Sequence, residues 1–134
     1  VIITITPVIT TAREQVAGLV ASTGLATYSY LPDDVAHLPC HVIGRPSLRE
    51  TFTSGVMGVE LDVTLMGRRI NDEDSQRELD ALADQLFAVL GGTKNVRVGD
   101  AFYRCTLFLP GTVLVAGQEY PAYIATVTTD TVTC

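Results

Sequence analysis

Apolar and polar positions alternate most cleanly between Val56 and Met66, where Val59, Leu61, Val63 and Leu65 point one way and Glu60, Asp62 and Thr64 the other. Strict alternation predicts a strand in a sheet with one buried and one wet face. The period changes to that of a helix over Asn71–Leu90. Leu79, Leu82, Ala83, Leu86 and Leu90 form its buried stripe, Asn71 or Asp72 can cap its start, and Asp72, Glu73 and Asp74 favour the positive end of its dipole. Gly91-Gly92 ends it.

A shorter helix is expected near the start, after a strand-like stretch. Thr11-Ala12-Arg13-Glu14 has the form of a capping box, in which Thr11 accepts from the Glu14 amide and Glu14 reaches back. Ala12, Val16, Leu19 and Val20 then make one apolar stripe that stops by Gly24. From Leu25 to Phe52 the chain reads as irregular, broken by Pro32, Pro39, Gly44 and Pro46, except for a strand over Leu38–Ile43 with Pro39 near its start. The remainder is β: Val96–Val98 and Ala101–Leu109 around a Gly99-Asp100 turn, then Thr112–Ala116 and Ala122–Thr131 around a Gly117–Pro121 turn. The order and the short late connections predict an α+β fold, a mainly antiparallel β-sheet with two α-helices packed on one face. With neither repeats nor a linker, residues 1–134 read as a single domain.

Composition adds a lean toward assembly. Charged residues are 18% of the 134, against an average near 25%, and mean hydropathy is +0.30. No apolar run approaches the ~18–20 residues of a membrane helix, so the surplus reads as subunit interface, where charge is depleted. Nine Lys+Arg against 15 Asp+Glu give a net charge of −6. That balance excludes a phosphate-backbone binder, and Arg68-Arg69 alone is no basic patch. Val1–Pro7 lacks the basic n-region and cleavage site of a signal peptide, so none is expected. Cys40, Cys105 and Cys134 are odd in number and without CxxC spacing, which fits free thiols in a reducing compartment.

Candidate chemistry is thin. His37 and His41, with Cys40 between them, have a spacing that suits zinc on a helix, but Pro39 forbids a helix there and no other histidine supplies a further ligand. No metal and no cofactor is expected. Cys40 and His41 are neighbours in a strand and point to opposite faces, so they make no nucleophile–base dyad. Asp72-Glu73-Asp74 lacks the order of a calcium loop, and the glycines form no phosphate loop. Glu60 and Asp62 share a strand face and suit paired acid/base carboxylates, although charges on a wet face are the plainer reading. The expectation is a non-enzyme. Outside its buried stripe the long helix carries Glu73, Asp74, Glu78, Asp80 and Asp84 against Arg77. Such a face is either simply solvated or a wall that repels a polyanion, so that DNA passes without sticking.

The order of elements resembles the tail terminator proteins of long-tailed bacteriophages, the tail protein U family and its actinobacterial siphophage relatives. The resemblance rests on the helix near Thr11–Ala21, the proline-broken entry into Leu38-Pro39-Cys40-His41-Val42-Ile43, and the acidic-faced strand Gly58–Leu65. It continues through the helix Asp72–Leu90 and the final strand Tyr120-Pro121-Ala122-Tyr123-Ile124-Ala125-Thr126-Val127. It implies a tail-terminator-like domain in a homohexameric ring at the head-proximal end of the tail tube, with no catalytic residues and no membrane. The implied partners are the major tail tube protein, the head-side connector or stopper and the tape-measure protein. Viral DNA would pass through without specific binding, and the protein would reside in the virion after assembly in the bacterial cytoplasm. On this reading Glu60, Asp62, Asp80 and Asp84 are candidate channel acids. Leu38, Val42, Val113, Val115, Tyr123 and Ile124 are candidate subunit or tube contacts, and the proline-rich stretch Leu31–Pro46 is a candidate arm. The alternatives are another neck or tail component, or a small cytosolic enzyme built on Cys40 and His41.

Overall fold

The computed structural model describes residues 8–30, 38–50, 56–68, 72–92, 94–98 and 101–133. In chain order its elements are α1 (Val8–Ala21), β1 (Ala26–Tyr28), β2 (Cys40–Ile43), β3 (Ser47–Glu50), β4 (Val56–Met66), α2 (Glu73–Val89), β5 (Val96–Val98), β6 (Ala101–Val115) and β7 (Gln118–Thr133). The strands form one curled sheet in the order β1-β2-β4-β7-β6-β5, with β3 beside the first half of β4. Every pairing is antiparallel except β1 with β2. The expected α+β class holds.

The alternation of β4 is realised as expected. Val59, Leu61, Val63 and Leu65 are at most 2% exposed, while Asp62 on the other face is open to water. The buried side meets both helices: Ala12, Val16 and Val20 of α1 and Ala83 and Leu86 of α2 join these strand residues in one core. Asp72 caps α2, its carboxylate accepting from the Ser75 amide at 2.7 Å. At the other end the Gly92 amide donates back to the Phe87 carbonyl at 2.9 Å. Gly91 has a φ of +89°, and a Cβ there would lie 2.6 Å from the Lys94 carbonyl oxygen, so only glycine fits.

Several boundaries differ from expectation. α1 begins at Val8, so Thr11 lies inside the helix rather than capping it. The β-branched run Val8-Ile9-Thr10-Thr11 has low helix propensity and hid that first turn. The stretch read as irregular contains β1 and β3, which are too short to show a period. The strand expected from Leu38 begins at Cys40, after a cis Leu38–Pro39 peptide. The two late strands Ala101–Leu109 and Thr112–Ala116 are one, β6, running through Pro110-Gly111. The final turn is only Ala116-Gly117, both at positive φ (51° and 77°), so Pro121 lies within β7 opposite Thr112. Proline normally ends strands; here it falls where β4 has ended and β6 is the remaining partner. Asn71 and the Gly99-Asp100 turn lie outside the described residues.

A second, smaller core lies on the sheet face away from the helices. Cys40, Val42, Met66 and Val115 are buried there, with Leu38, Val113 and Tyr120 packed around them. Val42 and Val115, two of the candidate contact residues, are each 5% exposed and pack mainly into this core. Among the described residues no helix is long and apolar enough to cross a membrane.

Candidate functional site

The α2 surface and the β6–β7 hairpin enclose an open groove of about 490 Å³. Asp80, Ala83, Asp84 and Phe87 recur at helical spacing along α2 and form one wall, while Phe108 of β6 and Tyr123 of β7 form the floor. The three rings pack in series. Phe87 meets Phe108 edge-on at 5.7 Å between centroids, and Phe108 meets Tyr123 at 5.7 Å with a tilt of 36°. The Tyr123 hydroxyl donates to Asp80 Oδ1 at 2.8 Å. That hydrogen bond, desolvation and the charges of Asp80 and Asp84 all hold the phenol above its usual range. A phenol so held stays protonated to a higher pH than a free tyrosine and keeps donating to Asp80.

Glu60 and Asp62 lie on the opposite face of the sheet. Asp62 accepts from the Thr126 hydroxyl at 3.0 Å, its cross-strand neighbour on β7. The four candidate channel acids thus occupy two separate surfaces, Asp80 and Asp84 beside the groove and Glu60 and Asp62 on the outer face. The remaining candidate contacts divide likewise. Tyr123 lines the groove, whereas Ile124, opposite Thr64, belongs to the outer face, as do half-buried Val113 and Leu38.

Cys40 and His41 are both fully buried. Burial pushes the Cys40 thiol up to about 11 and the His41 imidazole down to about 4. Both shifts oppose a thiolate–imidazolium pair. The two side chains also diverge: Cys40 enters the outer core, while His41 lies across from Leu65, on the helix side. Neither ring nitrogen of His41 has a hydrogen-bond partner among the described residues. Cys105 is half-buried, and burial raises its thiol as well. Among the described residues no three of His, Cys, Asp and Glu gather where a metal could sit. His37 and Cys134 lie outside the described residues.

Sequence reasoning placed candidate contacts at Val113 and Val115, on the strand Thr112–Ala116 whose edge suits pairing with another chain, but missed that the open edge of β6 reaches back past Leu107 and Leu109. β5 pairs with Ala101–Tyr103 alone, and from Arg104 to Val115 no described strand lies along that edge. Leu107 and Leu109 are each 50% exposed and Leu114 is 64% exposed. The signal was present in the loss of alternation at Leu107-Phe108-Leu109, where one ring faces the groove and two leucines face out. No family model matches the chain, and no curated protein is significantly similar to it.

Proposed function

We propose that this protein is a structural ring subunit of a bacteriophage tail, of the tail-terminator kind, which ends growth of the tail tube and joins the tail to the head-side connector. The observation that carries the reading is the edge of β6 beyond Tyr103, open among the described residues, with its exposed leucines. An uncovered strand edge of this length is a template for pairing with another chain. A tube of stacked identical rings has no intrinsic last layer, because each ring offers the next the same heterologous surface. A terminator copies the tube's contact on one side and refuses it on the other. Low charge content, free thiols and a net charge of −6 suit a subunit held between neighbours around a channel for DNA.

Infection with phage lacking the protein tests this directly. The expected result is free heads and tails of overlong, uneven length. Tails of normal length with only joining lost would assign the protein to the connector, and absent tails would make it a tube component. Lysines at Asp80 and Asp84, or at Glu60 and Asp62, are expected to slow genome ejection for whichever pair borders the channel. Unchanged ejection in both variants would make all four acids outer surface.

A further inference from the structure

A second cleft, of about 520 Å³, opens at the other side of the sheet, where β1 stops short of β2. Its apolar walls include Val42, Met66 and Val113, and Arg13 and Arg45 line it as well. Arg13 is the unusual member. It lies on α1 and is 8% exposed, and its guanidinium reaches past the end of β1. There Nη1 donates to the Ser29 carbonyl and, at 3.3 Å, to the Ile43 carbonyl, while the Tyr30 ring covers one face at 4.2 Å.

These contacts employ one of the three guanidinium nitrogens, and among the described residues no carboxylate lies within ion-pair distance of it. A buried cation is costly unless an anion or full hydrogen bonding compensates it. Neutral carbonyls and a ring face compensate in part. Arg45 stands exposed on the rim, again with no partner among the described residues, so two cations share one apolar cleft in a chain whose net charge is −6. A guanidinium has the fork geometry for a carboxylate, and the walls suit a hydrocarbon stem behind it.

We infer that this cleft binds a carboxylate carried on an apolar body, with the edge of the Arg13 guanidinium that has no partner among the described residues holding the anion and Arg45 reinforcing it from the rim. The inference stands apart from the tail reading, since it uses neither the edge of β6 nor the groove beside α2. The carboxylate can come from a free organic acid or from an acidic side chain of a second copy of this chain.

Titration of the whole protein with octanoate, and with octanamide as its uncharged counterpart, tests it by calorimetry with native mass measured in parallel. Octanoate is expected to bind saturably, and loss of the charged contact in octanamide to weaken binding about 10- to 100-fold. Arg45→Gln, on the rim and outside the core, is expected to weaken octanoate several-fold without moving thermal stability. Arg13→Met is expected to abolish saturable binding; because Arg13 also holds two carbonyls, the octanamide and Arg45→Gln results decide if that variant fails to fold. An assembly that dissociates as octanoate saturates identifies a second copy as the source of the acid, and an unchanged mass identifies a free acid. Equal binding of octanamide, no saturation by octanoate, or no effect of Arg45→Gln overturns the inference.

Discussion

Strand β4 has neighbours along both edges and sends Val59, Leu61, Val63 and Leu65 into the core, whereas β6 has β7 along one edge and, beyond Tyr103, an open edge among the described residues. β4 keeps apolar side chains on one face only. β6 places Phe108 on one face and Leu107 and Leu109 on the other. A strand with one buried and one wet face shows period two, whereas Leu107 and Leu109 are apolar and half exposed on a face that no described part of the chain covers. On the proposed function, the two strands separate what folds this chain from what would join it to a neighbour.

The largest expected effect tests that separation on stability. Leu61→Ala removes a side chain 2% exposed and is expected to cost about 2–5 kcal/mol in a urea titration. Leu109→Ala, at a half-exposed site, is expected to stay within about 0.5 kcal/mol. Equal losses at both positions would mean that β6 belongs to the fold's core and leaves no contact surface.

The next effect belongs to the β4 side, through His41, which lies opposite Leu65. Its imidazole is held down to about 4 from 6.5 by burial, so the folded chain binds fewer protons than the unfolded chain between those values. Stability is then fully present above about pH 6.5 and falls as the pH drops toward 4, by about 3 kcal/mol in all from this group. His41→Leu is expected to flatten that part of the pH dependence of unfolding. A profile unchanged by the substitution would show that the folded chain does not hold the His41 imidazole below its usual range.

The smallest effect concerns the groove. Asp80→Ala removes an exposed carboxylate and its hydrogen bond from Tyr123, and is expected to cost about 0.5 kcal/mol or less. Ultraviolet titration should show the Tyr123 phenol ionising at lower pH in that variant, because the hydrogen bond and the charge that oppose ionisation are gone. No change in that titration would show that the phenol owes nothing to Asp80.

What could be read from residues alone follows the same division. The bounds of β4 and the body of α2 were legible because burial on one side imposes a period, and Asp72, Gly91 and Gly92 mark the ends of α2 chemically. β1 and β3 were not, since three- and four-residue strands carry no period and take their conformation from the neighbours they pair with. β6 was split at Pro110-Gly111 because proline and glycine read as a break. An edge strand tolerates both, and the pairing of Pro110 with Tyr123 carries β6 through. The acids Asp80 and Asp84 were legible as a surplus on one helix face, but their meeting with Phe108 and Tyr123 is tertiary. Arg13 was legible only as part of a capping box, and burial gave it a different place.

The most direct test of the account is the native mass of the purified protein beside that of a Leu107→Lys/Leu109→Lys variant, across a range of concentrations. Two lysines on an exposed strand disfavour pairing along its edge without touching the core. The account predicts a ring-sized assembly for the unaltered protein and a folded monomer, with unchanged circular dichroism, for the variant. An unaltered protein that stays monomeric at every concentration, or a variant that assembles equally well, would contradict it.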